Sequence, residues 1–386
     1  MTDCDFLIVG AGFAGLVLAE RLSSQLGKRC LVVESRNHIG GNSQDEFDRS
    51  GVLIHKYGPH YFRTNSTRIR DYLSEFTKWR PIEYRIRSHA RGREWTFPVN
   101  LSTYEEMIGR PSTTEEFESY LESVRVPIEN PANSEEVIVS QVGWELYELF
   151  FKNYTLKQWK RHPRDLDASV CGRIPIRTNR DDRYLKESFQ ALPRDGYHRL
   201  FENLLSNAPT VCIRLNTNYR DILPHVRWKH MIYTGPIDEY FDRCEGSLPY
   251  RSLRFEPESF GPEELQERLP LSKRRGFWQS QMQINYPNEE AFTRIVEIKH
   301  ATGQQCENTT IVREYPDDYG PGKEPYYPIP APEAQSLYRR YAERAKEKDN
   351  VSFIGRLATY RYYNMDQVVG MALSEFERLE ARYARP

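Results

Sequence analysis

The 386-residue sequence predicts an α/β fold in which a domain built on a parallel sheet is interrupted by a helical bundle and by an antiparallel β-sheet domain. Short apolar runs near both ends of the chain lead into glycines and then into helical spacing, which is typical of parallel strands joined by crossover helices. Residues 103–157 have helical spacing instead. Residues 250–315 alternate between apolar and polar positions, as antiparallel strands do.

The first forty residues carry the clearest motif. An apolar run at 5–9 leads into a GxGxxG sequence at 10–15, a helical stretch at 16–22 and a second apolar run that ends on Glu34. An isolated GxGxxG is weak evidence, because structural turns also contain it. Here strand, turn, helix, second strand and acid are in register, so the unit predicts a Rossmann-like dinucleotide-binding domain.

Each residue type in this unit has a physical role in binding a dinucleotide. Gly10 allows a tight turn, Gly12 lets the backbone approach a pyrophosphate, and Gly15 permits close packing of helix against strand. The carboxylate of Glu34 can accept a hydrogen bond from a ribose hydroxyl.

The residues after Glu34 select the dinucleotide. Gly40-Gly41-Asn42 again suggests backbone that passes close to a ligand, and this extension resembles the second half of an FAD fingerprint rather than an NAD one. A surface Gly-Gly turn is the alternative. The cofactor-binding residues predicted from both segments are Gly10, Gly12, Ala14, Gly15, Glu34, Ser35, Gly41 and Asn42.

The later elements follow from the same two periodicities. Strands are predicted at 51–57, within 80–98, at 210–215, 230–234 and 351–354, and helices at 197–205 and 365–383. The expected domains are a discontinuous FAD-binding α/β domain (1–79, 200–245 and 345–386), a helical domain with a mobile substrate loop (102–172) and an antiparallel sheet domain (80–101, 173–199 and 246–344).

Composition limits the possible partners. Lysines and arginines number 54 and acids 55, a formal net charge of −1, so bulk charge indicates neither a nucleic-acid partner nor an anionic membrane. The sequence has no run of 18 apolar residues and no basic segment before its first apolar run, so we expect no membrane insertion and a cytoplasmic location. The six cysteines are scattered, which argues against a metal site and a disulfide framework.

The usual hydrolytic motifs are absent from the sequence: it has no GxSxG elbow, no HExxH and no P-loop lysine motif. Arginines and tyrosines instead concentrate in aromatic-rich segments at 154–161, 326–328 and 356–364. Tyrosine clusters more often serve packing. Three such clusters beside a flavin fingerprint favour a site that stacks and hydrogen-bonds rings and sugars.

Several longer motifs carry a family resemblance. Besides the opening glycines they are HKYGPH at 55–60, YTLKQW at 154–159, RIP at 173–175, YTGPID at 233–238, YRSL at 250–253, TRI at 293–295, EPYYP at 324–328 and GRLA at 355–358. Together, in order and over essentially the whole chain, they resemble the bacterial UDP-galactopyranose mutases.

The resemblance implies an isomerase that interconverts UDP-galactopyranose and its furanose form, for use in cell-surface polysaccharides. In that family FAD is active when reduced, by NAD(P)H or another external reductant, and its N5 attacks the anomeric carbon and expels UDP. A UDP-sugar is therefore the expected partner. A homodimer is the expected assembly.

The resemblance also implies roles for individual residues. Arg173 and Arg294 resemble the arginines that clamp the diphosphate, and with His60 and Asn364 they form the predicted catalytic set. His60, Arg356 and Met365 are the further predicted FAD contacts. The predicted substrate-binding residues are Phe150, Tyr154, Thr155, Trp159, Arg173, Tyr184, Arg251, Asn285, Arg294, Tyr315, Tyr362, Arg63 and Asn364.

Three positions depart from the family pattern. Arg63 stands where the family has a second histidine, Asn364 where it has an acid, and Asp195 where it has a glycine. The first two changes add hydrogen-bond donors, so we expect a sugar that presents acceptors, such as N-acetylgalactosamine. A deoxysugar or an acidic sugar is also compatible, and the alternative is that Arg63 points at a phosphate or a surface acid and does not affect selectivity.

Two other classes of function share the opening fingerprint. A flavin amine oxidase or monooxygenase would oxidise its substrate with stoichiometric consumption of oxygen or NAD(P)H. A non-enzymatic flavin-binding protein would bind FAD without affinity for sugar nucleotides. The paired arginines and stacked aromatic residues favour a nucleotide-sugar ligand over both.

Overall fold

A computed structural model describes residues 2–268 and 276–383. Its strands, in chain order, are β1 (Thr2–Asp3), β2 (Phe6–Val9), β3 (Cys30–Val33), β4 (Asp45–Phe47), β5 (Leu53–His55), β6 (Phe62–Thr64), β7 (Trp79–Pro81), β8 (Ile86–Ala90), β9 (Arg93–Phe97), β10 (Phe189–Pro193), β11 (Val211–Arg214), β12 (Val226–Arg227), β13 (His230–Tyr233), β14 (Tyr250–Phe260), β15 (Gln283–Asn285), β16 (Arg294–Val296), β17 (Thr309–Asp318), β18 (Tyr327–Pro328) and β19 (Val351–Phe353).

The helices alternate with these strands at the ends of the chain and cluster between β9 and β10. In chain order they are α1 (Phe13–Leu26), α2 (Thr67–Ser74), α3 (Leu101–Ile108), α4 (Thr114–Val124), α5 (Ser134–Tyr147), α6 (Asn153–Trp159), α7 (Ser169–Gly172), α8 (Tyr197–Ser206), α9 (Tyr219–Ile222), α10 (Ile237–Tyr240), α11 (Pro262–Arg268), α12 (Lys299–Thr302), α13 (Pro332–Lys346), α14 (Gly355–Ala358) and α15 (Met365–Tyr383).

A five-stranded parallel sheet with the order β11-β3-β2-β13-β19 forms the first layer of the fold. Its central strands β2, β3 and β13 are almost entirely buried and largely apolar, because alternate residues pack into hydrophobic clusters on the two faces of the sheet. The predicted α/β class and its Rossmann-like domain are confirmed. The terminal helix α15 also matches its prediction, with buried residues Val369, Ala372, Leu373, Phe376 and Leu379.

A seven-stranded sheet with the order β18-β14-β17-β16-β15-β8-β9 forms the second layer. All its neighbours are antiparallel except β15 and β8. The register of β16 against β17 places Arg294 directly opposite Glu314. The side chains of these two oppositely charged residues therefore lie on the same face of the sheet.

The helical region is divided more finely than its periodicity suggests. Gly109, at a φ of 71°, ends α3 in the left-handed conformation that glycine adopts without strain. Thr113 and Asn133 then cap the next two helices by accepting from backbone N–H groups. A π-helical turn at Glu148–Lys152 joins α5 to α6, and such turns are frequent at functional sites.

Two elements lie apart from the sheet domain in which the sequence places them. Strand β10 pairs with β6 and β7 in a separate three-stranded sheet, and α13 packs against α10, which follows the parallel strand β13. Within residues 2–268 and 276–383, no helix is long and apolar enough to cross a membrane.

Candidate active site

A cavity of about 590 Å³ opens at the carboxyl ends of the parallel strands β2, β3 and β13. This is where open α/β sheets bind nucleotides, and the volume lies within the range of about 300–1,000 Å³ that is usual for ligand pockets. The predicted cofactor residues that line it are Gly10, Gly12, Ala14, Glu34, Ser35, Gly41, Asn42, His60, Arg356 and Met365.

Gly10, Gly12 and Gly41 line the floor of the cavity, and at Gly10 and Gly15 neighbouring atoms leave no room for a side chain. A Cβ at Gly10 would lie 2.1 Å from Oγ1 of Thr234, and the φ of Gly10 is +103°. A Cβ at Gly15 would lie 2.0 Å from the carbonyl oxygen of Gly10, so Gly15 packs the helix against the turn rather than lining the cavity. Gly12 faces Gly41, which brings the two halves of the fingerprint into contact.

The first turn of α1, which has no side-chain cap, faces this cavity. Gly12 is its N-cap residue and offers no side chain to the first N–H groups, which can therefore bind an anion. The carboxylate of Glu34 accepts from the N–H groups of Ala11 and Arg36, both at 2.9 Å, and so fixes the two loops that flank the cavity. The residues present therefore fit the pyrophosphate and ribose of a dinucleotide.

The sequence analysis missed a contact across the mouth of the cavity. Arg36 donates to the carboxylate of Glu324 at 2.8 Å, and its guanidinium lies 4.4 Å from the ring centroid of Tyr57. Both Arg36 and Glu324 line the cavity. The available sequence signal for Arg36 was its position two residues after the predicted ribose-binding Glu34.

A second group of residues adjoins the cavity through Arg356. Its guanidinium and that of Arg173 each lie 4.9 Å from the ring centroid of Tyr362. The ring of Tyr362 also stacks on Tyr327 with centroids 5.4 Å apart, and Tyr327 lies 6.0 Å from the ring of Trp159. The structure thus joins a lining residue of the cavity to the predicted substrate-binding residues.

The two guanidiniums perturb Tyr362. Desolvation raises the pKa of its hydroxyl, but the positive charges of Arg173 and Arg356 outweigh that effect and lower the pKa to about 7. Burial and the neighbouring Tyr362 raise the pKa of Tyr327. This concentration of positive charge is suited to a diphosphate.

Arg294 belongs to the same group of residues as Arg173 and Tyr362. It donates to the buried carboxylate of Glu314 at 2.6 Å, and Glu314 has only 1% of its surface exposed. Among the described residues, Nε of Arg294 and Oε1 of Glu314 have no hydrogen-bond partner. Burial raises the pKa of the adjacent Tyr154 to about 12, against the opposing effect of Arg294. Glu314 was not among the predicted site residues.

The other predicted aromatic residues pack against neighbouring rings. Tyr184 packs against Tyr84, whose ring stacks on Tyr61 with centroids 4.0 Å apart. Phe150 packs against Trp95 and Phe97. Phe150 is 4% exposed, so it supports the site from the core. Thr155 lies on the buried face of α6, and its hydroxyl is 3.4 Å from Sγ of Cys171.

His60 lines the cavity and is held from two sides. Its backbone N–H donates to Nδ1 of His55 at 3.0 Å, and its own Nδ1 lies 2.8 Å from the carbonyl oxygen of Gly58. Burial lowers the pKa of His60 to about 4, with Arg356 and Arg294 acting in the same direction. His60 is therefore neutral at physiological pH and offers a hydrogen-bonding ring without charge.

Two of the three residues that are predicted to depart from the family pattern contact each other. The guanidinium of Arg63 donates to Oδ1 of Asn364 at 2.8 Å and to Glu187 at 3.1 Å. Asp366 is close enough for Arg63 to act on its pKa, which burial raises. Arg63 thus has two fixed partners in the protein.

Comparison with known proteins assigns the family. A family model described as UDP-galactopyranose mutase matches residues 149–362, which is more than half of the chain. The chain belongs to the UDP-galactopyranose mutase family. A model of the NAD(P)-binding Rossmann-like domain matches residues 8–76. Both matches confirm predictions made from the motifs, and family membership supports an isomerase over a flavin oxidoreductase.

Individual relatives cover nearly the whole chain. A probable UDP-galactopyranose mutase of Klebsiella pneumoniae is 34% identical over 97% of this chain and 94% of that protein. A dTDP-fucopyranose mutase of Escherichia coli is 33% identical over 95% of this chain and 96% of that protein. A crystal structure of reduced UDP-galactopyranose mutase has the same fold, with a TM-score of 0.73 at 16% identity over 98% of this chain and 96% of that chain.

Three predicted substrate residues of the family set have other neighbours here. Strand alternation turns Tyr315 to the face opposite Glu314, where it packs 4.1 Å from the guanidinium of Arg254, so the structure does not bring Tyr315 into the site. Arg251 donates to the carbonyl oxygen of Gln158 at 3.0 Å and pairs with Asp318. Its guanidinium supports the end of α6.

Asn285 and Tyr327 complete the comparison. Asn285 is buried, and its Oδ1 accepts from Gln283 at 2.7 Å. Tyr327 takes the place in the site that the sequence analysis gave to Tyr315. The EPYYP motif at 324–328 was the available sequence signal for Tyr327, which the structure places beside Tyr362. Among the described residues, no three His, Cys, Asp or Glu side chains are grouped to hold a metal ion.

Proposed function

We propose that this protein interconverts the pyranose and furanose forms of a nucleotide-activated hexose, UDP-galactose or a related sugar nucleotide, using FAD that an external reductant such as NAD(P)H keeps reduced. One observation carries the proposal. Tyr362 lies between the guanidinium of Arg356, which lines the dinucleotide cavity, and that of Arg173. A flavin in the cavity would therefore adjoin a site built for a diphosphate.

Reduced FAD, when bound, would supply the nucleophilic chemistry at the anomeric carbon of the sugar. The glycine floor and the N-terminus of α1 would hold its pyrophosphate, and Glu34 its ribose. His60 and Met365 also line the cavity. Being neutral, His60 adds no charge beside the reacting centre.

The protein's own residues serve the leaving group. Arg173 and Arg294 would donate to the diphosphate and compensate the charge that develops as the bond to the anomeric carbon breaks. They would also retain the diphosphate for the return step. Tyr154 would stack on the nucleobase, and Trp159 would lie against the sugar. Both belong to α6; Tyr154 lies near Arg294 and Arg173, and Trp159 packs against Tyr327.

The identity of the sugar is proposed separately from the type of reaction. The two named relatives act on UDP-galactopyranose and dTDP-fucopyranose according to their names, and their identities to this chain are nearly equal at 34% and 33%. Arg63 and Asn364 separate this chain from the family pattern at the sugar. We propose galactose or N-acetylgalactosamine as the sugar and uracil as the base.

The experiment is a substrate panel under controlled redox state. Dithionite-reduced and air-oxidised protein are each incubated with UDP-galactose, UDP-N-acetylgalactosamine and dTDP-fucose, and pyranose and furanose forms are separated by chromatography. Furanose should form from a UDP-sugar in the reduced samples only. Equal conversion by protein kept fully oxidised, or no conversion of any of the three, would overturn the proposal.

A further inference from the structure

Lys157 makes three hydrogen bonds to a single loop. Its ammonium group, near the end of α6, donates to the carbonyl oxygens of Tyr286, Glu290 and Phe292, the last two at 2.9 and 3.1 Å. A lysine ammonium has three donors, so all of them are used. Burial lowers the pKa of Lys157 to about 8, so the group remains mainly charged at pH 7.

The loop that Lys157 binds is the hairpin connection between β15 and β16. Its base is closed by the N–H of Tyr286, which donates to the carbonyl oxygen of Thr293 at 2.8 Å. Two further bonds fasten it to the helical domain: Asn153 donates to Asn288 at 3.0 Å, and Asn288 donates to the carbonyl oxygen of Leu149 at 3.2 Å. Arg294 follows the loop directly.

The two ends of this contact carry different parts of the proposed substrate site. Helix α6 carries Tyr154 and Trp159, while the hairpin leads into Arg294. A nucleoside diphosphate must reach both elements at once. The distance between ring and guanidinium therefore has to be fixed before the ligand binds, because ordering it on binding would weaken affinity.

We propose that Lys157 is a positioning residue that sets the spacing between the nucleobase-stacking helix α6 and the diphosphate-binding Arg294. This proposal rests on the proposed function of the site. It concerns ligands that bridge the two elements, so its effect differs from a general loss of stability.

The chain contains a matched control for a purely structural role. Lys299, on α12, also donates to three carbonyl oxygens, those of Gly276, Cys306 and Asn308, at 3.1, 2.5 and 2.8 Å. It is 5% exposed, and all three of its carbonyl partners lie in residues 276–308, outside α6. Lys299→Met removes the same set of bonds from the sheet domain alone. Lys152, an exposed lysine paired with Glu148 at 3.3 Å, serves as a surface control.

The test compares Lys157→Met, Lys157→Arg, Lys299→Met and Lys152→Met as FAD-loaded proteins of measured melting temperature. The dissociation constants of UDP and of uridine are determined for each, uridine by competition. We expect Lys157→Met to weaken UDP binding about tenfold, the loss of roughly one charge-assisted hydrogen bond, and uridine binding less than about twofold. Lys157→Arg should restore part of the affinity for UDP.

The controls should separate positioning from stability. Lys299→Met should lower the melting temperature at least as much as Lys157→Met and leave the UDP constant within about twofold. In an Arg294→Ala background, Lys157→Met should have no further effect on UDP, because the bridged contact is already lost.

Three outcomes would overturn the role of Lys157. They are an unchanged UDP constant in Lys157→Met, an equal loss of UDP and uridine affinity, or an additive effect in the Arg294→Ala background. Wild-type protein that binds no UDP would overturn the proposed function together with this inference, so the two failures are distinguishable.

Discussion

The guanidinium of Arg63 donates to the side-chain oxygen of Asn364 at 2.8 Å. Residues 63 and 364 are 301 positions apart, and the sequence analysis predicts that both depart from the family pattern. Their contact suggests that the two departures belong together. A histidine and an acid at the same places would form a different pair, with different charges and donors.

The pair predicts coupled effects on sugar selectivity. Arg63→His, Asn364→Asp and the double variant should change the ratio of kcat/KM for UDP-galactose and UDP-N-acetylgalactosamine non-additively, with a coupling energy of about 0.5–3 kcal/mol. The physical reason is that Arg63→His removes the donors from which Asn364 and Glu187 accept, whereas Asn364→Asp keeps the accepting oxygen and turns the contact with Arg63 into an ion pair. Steady-state kinetics of the four proteins measure the coupling. A ratio unmoved in all four would mean that Arg63 serves only its ion pair with Glu187.

Arg294 and Arg173 should both be needed for activity but differ in stability. Each loses charge-assisted bonds to the diphosphate when changed to alanine, which lowers kcat/KM by about 10- to 100-fold or more. Arg294→Ala also leaves the buried carboxylate of Glu314 unpaired, a loss of about 3–5 kcal/mol in the free energy of unfolding. Arg173→Ala should lack that second effect.

Denaturant unfolding and FAD content test this difference. Adding Glu314→Gln to Arg294→Ala should restore part of the stability and none of the activity. FAD content should be normal in every folded variant, because the cofactor cavity uses other residues. Equal stability of Arg173→Ala and Arg294→Ala would show that Glu314 does not depend on Arg294.

The pH dependence of UDP binding should report Tyr362. Its pKa of about 7 in the free protein lies below the ordinary value of about 10, so the phenol is increasingly ionised as the pH rises above about 7. An anionic diphosphate favours the neutral form, and binding therefore takes up a proton. The dissociation constant of UDP should rise between about pH 7 and 10, by at most about tenfold per pH unit.

Tyr362→Phe removes the titrating group and is the control. Its UDP constant should show no rise attributable to this hydroxyl over the same range. Isothermal titration in buffers of different ionisation enthalpy would count the protons taken up. A wild-type constant that is flat, or one whose rise persists in Tyr362→Phe, would assign the pH dependence elsewhere.

Glycines 10 and 12 should respond differently to alanine. At Gly10 a Cβ would meet Thr234 and the φ is +103°, so Gly10→Ala should disturb the protein itself. At Gly12 the φ is −87° and the nearest atom to a Cβ is Cα of Gly41 at 3.7 Å, so the fold accepts alanine. Gly12→Ala should fold normally and lose flavin, as measured by absorbance after purification. Full flavin content in Gly12→Ala would place the pyrophosphate elsewhere.

Local patterns predicted most of the fold. The βαβ unit and α15 follow from continuous apolar runs and helical spacing, which burial against neighbouring layers imposes on the sequence. Within the helical region, residues 112–115 (STTE) are typical of a helix N-terminus with an acidic first turn, and the cap at Thr113 confirms that prediction. The break at Asn133 was not predicted, since the helical periodicity continues through it. The pairing of β10 with β6 and β7 depends on long-range register that no local pattern contains.

The site divides in the same way. The cofactor-binding glycines could be predicted, because their role is backbone geometry within one short segment. Tyr315 and Tyr327 could not be told apart by residue type, and only the alternation of β17, fixed by its pairing with β16, turns Glu314 rather than Tyr315 toward Arg294. The bonds from Lys157 to a loop that begins 129 residues later were likewise outside the reach of sequence patterns.

The central claim is that the protein is a mutase and not an oxidoreductase. The number of furanose molecules formed for each electron supplied tests it most directly. Protein reduced once by a measured amount of dithionite under anaerobic conditions is given excess UDP-sugar, and furanose and remaining reduced flavin are quantified together. A mutase should make many furanose molecules per flavin while the flavin stays reduced and the sugar keeps its oxidation state. One product per flavin, with the flavin oxidised or the sugar changed in oxidation state, would contradict the account and indicate an oxidoreductase.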